Sequence, residues 1–373
     1  MRRLLGVPGF PLLDMRILYS HNKTGYEAAQ WDKEIAAASD ETCTFVPFNH
    51  EPFLPVSSYL DSVALDQLYQ ARHPGLMKLY AELEASIHDQ NIDVLLVTNA
   101  PPYHPDFLRK LPVYKVLYST DDPDGTYRRT IPYLHAYQHV FYVAPGYSPD
   151  TDLGDKLRYC GMKNVDWLPL GFFDFEYDGN QSDETILEHE RDVEIAYVGH
   201  CFRQKTPILA RVKRAFGSRV KIYGYYRIKH NLYINLVHRY GGWVRSIGYR
   251  ERVRLYQRTK IGFNLHWNSY GLGNQRLYLL PANGVMQLCD CPELLHNIFE
   301  PGREAVGFQN VDDLIDKMRY YLQHEDERKA IALAGFRRAV RDYRFAKVTR
   351  HAADLILRGM ERIGWNVQMS SQR

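Results

Sequence analysis

Short β-branched and aromatic runs alternate with helical stretches along this chain, and the alternation stops and restarts once, after residue 191. The first half carries strand patterns at 16–20, 44–48, 94–98, 114–119, 139–143 and 165–168. Between them lie helical patterns at 64–90 (interrupted by Pro74), 127–137 and 151–160. Near-continuous apolar strands separated by helices predict a parallel sheet covered on both faces. The second half repeats the scheme, with strands at 195–198, 220–223, 261–264 and 285–289 and helices at 207–216, 250–258, 275–282 and 311–323. A long helical tail spans 326–359, with a break near 342–344. Residues 174–191 (DFEYDGNQSDETILEHER) are acidic, polar and without apolar periodicity, and are expected as a linker. The prediction is an α/β protein of two Rossmann-like β/α/β lobes, 15–173 and 192–343, facing a central cleft.

Composition limits the function classes. At 373 residues the chain exceeds what one core usually fills. A net charge of +3 fits a local phosphate site better than a nucleic-acid-coating surface, so no nucleic-acid partner is expected. No apolar run approaches the ~18–20 residues of a membrane span. Five scattered cysteines read as reduced thiols and a cytoplasmic location, with Cys289 and Cys291 on one face of a strand and too close for the usual zinc spacing. Pro8, Gly9 and Pro11 break any signal-peptide core, and residues 1–14 read as a poorly ordered extension before a strand-like start at Met15.

The chemistry concentrates in IGFNLHWNSYGLGNQRLYLLPANGVMQLCD, residues 261–290: strand, glycine-bearing loop, helix, strand. In a doubly wound sheet this loop lies beyond the carboxyl ends of the strands, where ligands bind. It brings His266, Asn268, Gly271, Leu272, Gly273, Asn274 and Arg276 to that edge, and a helix start with free N–H groups suits an anion. Turn glycines alone also account for the pattern. After the first strand of the second half comes Gly199-His200-Cys201-Phe202-Arg203-Gln204-Lys205, whose Arg203 and Lys205 suit a diphosphate or are solvated surface charges. Tyr223-Gly224 and Gly248-Tyr249 fit stacking walls for a base or core aromatics beside turns.

In the first half, Asp121, Asp122 and Asp124 follow a strand. They fit helix capping, a general base toward an acceptor hydroxyl, or cation binding through oxygens. His104, after another strand end, is a second candidate base. His21, Lys23 and Gly25 follow the first strand and face the same cleft. There is no GxGxxG after the first strand, no Walker loop, no GxSxG and no HExxH, which removes support for nicotinamide, phosphate-loop, serine-hydrolase and zinc-protease chemistry.

The second half resembles the C-terminal lobe of GT-B glycosyltransferases, of the CgeB-like spore-maturation type and related bacterial transferases. Asn274-Gln275-Arg276-Leu277-Tyr278-Leu279, the Ala282-Asn283-Gly284 turn, the apolar strand ending at Asp290 and the stretch Glu300-Pro301-Gly302-Arg303-Glu304 carry the resemblance, which covers residues 193–355. It implies a GT-B fold whose C-terminal lobe holds a nucleotide-sugar, whose N-terminal lobe holds the acceptor, and whose final helix (344–363) crosses back to the first lobe. The implied activity is transfer of a sugar from a nucleoside-diphosphate donor, without metal and without a cofactor. Gly199, Arg203, Lys205, Tyr223, Gly224, Tyr249, His266, Asn268, Gly271, Leu272, Gly273, Asn274 and Arg276 would be on the donor side, and Asp121, Asp122 and His104 on the acceptor side. One position departs from the pattern. Leu279 stands where many retaining relatives carry a ribose-binding glutamate, leaving Asn274 or Glu300 to hold the ribose. A nucleotide-sugar epimerase of the same fold, or a non-catalytic nucleotide-binding coat protein, are the alternatives.

Overall fold

The computed structural model describes residues 15–54, 64–99, 102–121, 125–145, 152–177, 179, 182–188, 190–200, 204–266 and 272–365. The chain divides into two units. The first comprises 1–142, 154–168 and 349–373, and the second 143–153 and 169–348.

The first unit holds a six-stranded parallel sheet of β1 (Met15–His21), β2 (Cys43–Asn49), β3 (Val94–Thr98), β4 (Tyr114–Ser119), β5 (His139–Tyr142) and β6 (Asn164–Trp167), in the order β2-β1-β3-β4-β5-β6. The central strands β3 and β4 are buried almost throughout, as the continuous apolar runs demand. The order reverses direction between β1 and β3. Beside that switch, the Ser20 hydroxyl meets His50 Nδ1 at 2.9 Å and the Tyr103 hydroxyl at 2.6 Å, all three buried.

Within residues 64–90, Pro74 does not interrupt one helix. It opens a second, Pro74–Asp89, at the N-terminal position where its missing N–H costs nothing, after a first helix Leu65–Gln70. The expected regular helix at 127–137 is instead a π-helical turn, Thr126–Thr130, followed by a 3₁₀ segment, Ile131–Ala136, because Pro132 cannot donate into an α-helical ladder.

The second unit holds a five-stranded parallel sheet of β7 (Val193–Val198), β8 (Val220–Tyr223), β9 (Thr259–Asn264), β10 (Met286–Cys289) and β11 (Val306–Gly307), ordered β11-β10-β9-β7-β8. Its core gathers Ile195, Tyr197, Ile261, Phe263, Met286 and Leu288 from the strands with Leu209, Leu314, Met318 and Phe336 from the helices. The helix Arg276–Ala282 is apolar on every side and every residue of it is buried, the pattern of a helix enclosed on all faces. Cys291 does not continue β10: the strand ends at Cys289 and Cys291 turns with φ 56°, so the two cysteines do not share a strand face.

Among the described residues of 174–191, two short segments are regular. Asp174–Glu176 form a 3₁₀ turn and Asp183–Glu188 a helix that sinks Ile186 into the second unit's core. Arg191 is buried and closes that unit from below, donating to the carbonyls of Tyr256 (2.9 Å), Thr259 (2.8 Å) and Asn283 (3.0 Å). The tail forms two helices, Glu325–Asp342 and Phe345–Arg362, parted at the expected break. Its last turns belong to the first unit, where Asn164 Nδ2 donates to the Gly359 carbonyl (2.8 Å) and Arg362 pairs with Asp166 (2.9 Å).

Candidate functional site

The second sheet reverses direction between β7 and β9, and Arg276 bridges that switch point. Its Nη1 donates to the Val198 carbonyl at the end of β7 (2.7 Å), Nη2 to the Leu265 carbonyl just past β9 (3.2 Å), and Nε to Asn264 Oδ1 (2.9 Å). The guanidinium lies over the Tyr197 ring, 4.5 Å from its centroid. Gly199 permits the approach, since a Cβ there would overlap Nη1. Lys205, also buried, donates to the same Leu265 carbonyl at 2.6 Å. Two buried cations therefore converge on one strand end. His200 registers them: burial lowers its imidazole pKa, and the Lys205 and Arg276 charges lower it further.

One expectation changes here. The first N–H groups of the helix Arg276–Ala282 are not open to an anion, because Asn274 Oδ1 accepts from Leu277 N at 3.2 Å and the Asn274 and Gln275 carbonyls take the donors of Leu277, Tyr278 and Leu279. Asn274 also donates to Asn264 Oδ1 (2.9 Å) and so is a structural cap. What the edge offers an anion is side-chain charge rather than a helix terminus.

His266 and Asp290, at the ends of β9 and β10, form the second part of the site. Asp290 Oδ1 meets His266 Nδ1 at 2.5 Å, and Oδ2 accepts from the His266 main-chain N–H at 2.6 Å. Burial works to raise the Asp290 carboxyl, and the His266 charge and hydrogen bonds outweigh it, holding it below the usual carboxylate range. The imidazole is thereby fixed in orientation. Its Nε2 is buried with no partner among the described residues. Together with Cys291 these two form the group best placed to hold a metal ion, their ligand atoms within 4.8 Å of one another, but the His266–Asp290 hydrogen bond already occupies one atom of each.

Tyr223 and Gly224 lie beside Gly199, whose N–H donates to the Tyr223 carbonyl (3.1 Å). Gly224 accepts from Ser246 and donates to the Arg245 carbonyl. Tyr249 opens the helix Tyr249–Gln257 and meets Phe175 edge-on at 5.6 Å. Leu272 is fully buried and Gly273 follows it in the loop. Arg203, Asn268, Gly271 and Asp122 lie outside the described residues.

In the first unit, His104 is less suited to proton transfer than its position suggested. Nε2 meets Asp66 of the helix Leu65–Gln70 at 2.8 Å, Nδ1 accepts from Asp106 N at 3.1 Å at the helix start that the residue caps, and the ring stacks on Tyr69 at 4.0 Å, so both nitrogens are engaged. Asp121 remains half-exposed, paired with Arg129 (3.1 Å) and within 3.3 Å of Asn99 Nδ2. His21 is buried against Asp32 (2.8 Å), and Lys23 lies over Trp31.

Glu176 was not singled out by the sequence reading. It is buried, pairs with Arg252, accepts from Gln275 Nε2 at 2.5 Å, and offers its carbonyl to Asn283 Nδ2 at 3.3 Å. Gln275, Leu279 and Asn283 repeat at helical spacing, so Glu176 runs along the face that carries Leu279. The Glu176 carboxylate is engaged by Gln275 and Arg252, and its carbonyl by Asn283, one turn past Leu279. No local signal announces it: only the pairing of an acid in a polar stretch with a loop 99 residues away reveals it.

Residues 203–354 match the profile of a family described as glycosyl transferase-like. The match falls almost wholly within the second unit, which is similar to that family over this stretch. Solved structures extend the likeness to the whole fold. Sucrose-phosphate synthase from Thermosynechococcus elongatus aligns over 93% of this chain and 100% of its own, at 9% identity and a TM-score of 0.60. HepE from Anabaena, solved in complex with UDP-glucose, aligns over 92% and 100%, at 12% identity and a TM-score of 0.57. A candidate UDP-N-acetylglucosamine 2-epimerase from Listeria monocytogenes aligns over 94% and 97%, at 12% identity and a TM-score of 0.56. Identities this low speak for the fold alone, and that fold is GT-B, two parallel-sheet α/β lobes. No functionally curated protein matches the chain in sequence. Among the described residues of this GT-B chain, no helix is long and apolar enough to cross a membrane.

Proposed function

We propose that this chain is a glycosyltransferase that moves a sugar from a nucleoside diphosphate to an acceptor hydroxyl or side chain, within or near the CgeB-like group. The observation that carries the reading is the meeting of Arg276 and Lys205 at the β7/β9 switch point. Their charge stays in place although their hydrogen bonds go to carbonyls, and it is preorganised for the negative charge that develops on a departing diphosphate. Arg203, two residues before Lys205 in the sequence, would add a further positive charge. The His266–Asp290 pair presents a fixed imidazole to the donor side: with Nδ1–H given to Asp290, Nε2 accepts from a sugar hydroxyl when the ring is neutral and donates to a phosphate oxygen only as the imidazolium. Tyr223 and Tyr249 would wall the base. UDP is the first nucleotide to test, because HepE is solved with UDP-glucose.

Charge supplied by side chains makes a divalent cation unnecessary, so transfer should persist in EDTA. On the acceptor side Asp121 is the base for an inverting reaction, its carboxylate oriented by Arg129 and Asn99. Titration calorimetry across nucleoside diphosphates tests the donor reading: affinity for at least one of them, lost in Arg203→Ala with folding intact, is expected. No heat with any nucleotide points instead to a non-catalytic protein. Asp121→Asn should lower turnover while leaving nucleotide affinity unchanged.

A further inference from the structure

Between Glu194 and Glu251 the sequence contains twelve Lys and Arg and no Asp or Glu, in a chain whose net charge is only +3. The helix Ile228–His238 lies in this stretch and turns an apolar face to solvent. Ile228 is 70% exposed, Leu232 51% and Leu236 80%. They recur every four residues and form one stripe opposite the buried Asn231 and Ile234. Trp243, 60% exposed, extends the stripe.

The loop bearing Trp243 is built onto the helix. Asn231 Nδ2 donates to the Val244 carbonyl at 3.1 Å, and its Oδ1 accepts from Val244 N at 2.8 Å. Asn235 Oδ1 accepts from Gly241 N and Gly242 N, and its Nδ2 donates to the Gly242 carbonyl at 2.7 Å. Two asparagines thus fold the loop back and hold the indole beside the aliphatic stripe. Arg227, Lys229 and Arg239, all exposed, surround it.

We infer that this face docks peripherally on an anionic lipid bilayer. Its stripe of aliphatic side chains, a tryptophan and a rim of cations is the composition of an interfacial helix, which sinks its apolar side to the headgroup boundary while the cations meet lipid phosphates. A nucleic acid would satisfy the cations and leave Ile228, Leu232 and Leu236 without a partner. A second copy would oppose two faces of the same charge. The inference does not rest on the donor reading: a protein inactive toward every nucleotide-sugar is still expected to bind vesicles.

Vesicle flotation tests it. The full chain should float with phosphatidylcholine vesicles containing about 30% phosphatidylglycerol, much less with pure phosphatidylcholine, and less again in high salt. The double variant Leu236→Ser/Trp243→Ser should lower partitioning by about tenfold or more, at an unchanged melting temperature. Arg227→Glu/Lys229→Glu should weaken it by a similar factor on anionic vesicles alone. The inference is overturned if the wild-type chain stays with the soluble fraction. It is also overturned if Leu236→Ser/Trp243→Ser floats equally well, or if those substitutions instead abolish a dimer seen by light scattering or binding to duplex DNA.

Discussion

Arg276 shows how one side chain can serve the fold and the site together. The sequence places it in the crevice beyond the strand ends as a ligand for a diphosphate. In the structure it is a buried tie between β7 and β9, made possible by Gly199. Arg276→Ala leaves the Val198 carbonyl without this donor and Leu265 with Lys205 alone, and should cost about 2–4 kcal/mol in urea unfolding as well as activity. Gly199→Ala should destabilise in the same direction, because the guanidinium must move away from its added methyl group. His200 is a direct probe of the local field. Its pKa is depressed in the free protein by burial, Lys205 and Arg276, so a bound diphosphate should raise it. By linkage the complex takes up a proton, and nucleotide affinity should therefore rise as pH falls through that titration. An NMR titration of the His200 ring with and without UDP measures the shift, and an unchanged His200 pKa would place the nucleotide elsewhere.

At the scale of elements, strands were the most legible part. β3, β4 and β8 and the helix Val311–Gln323 lie where the apolar patterns put them, because buried parallel strands leave nearly every position apolar. The helix Ile228–His238 was missed for the opposite reason: both its inward and outward faces are apolar, so the contrast that marks an amphipathic helix vanishes. The helix Gly25–Ala37 was missed as well, because most of its apolar positions are small alanines that set no strong period. Beside β1, burial pushes the His50 imidazole down to about 3 from its ordinary 6.5, with the His21 charge adding to the effect. The unfolded chain then binds a proton that the folded one refuses over this interval. The stability His50 contributes is complete above pH 6.5 and is lost as pH falls, at about 1.4 kcal/mol per pH unit. Urea midpoints measured between pH 7 and pH 5 should fall accordingly, and His50→Gln should flatten the slope by about one proton's worth.

At the scale of the whole molecule, the chain leaves its first unit after Tyr142, returns for Gly154–Leu168, and returns again for its last helix. The closing turns are not an appendage. Gly359 presents its carbonyl to Asn164, a side chain there would press on the His139 ring, and Arg362 and the hydrogen bond from His139 together hold the Asp166 carboxyl down to about 2 despite its burial. Deleting residues 349–373 should therefore unfold the first unit, seen as loss of its protease resistance, while the core of the second unit persists. A truncated chain with an unchanged melting profile would show that the first sheet stands without this helix.

The two β/α units and the approximate places of their strands were readable from the chain. Burial on both faces of a parallel sheet imposes a local apolar pattern that one-dimensional reading detects. The candidate site's residue types were visible for the same reason, since glycines, cations and asparagine at a strand end are local features. Which partners each residue meets there is decided only by folding. His104 became a cap, Asn274 closed the helix start that was expected to be open, and Glu176 reached the Leu279 face from a stretch read as linker. Hydrogen-bond partners far apart in sequence leave no periodic trace, so they become visible only when the strand ends are brought together in space.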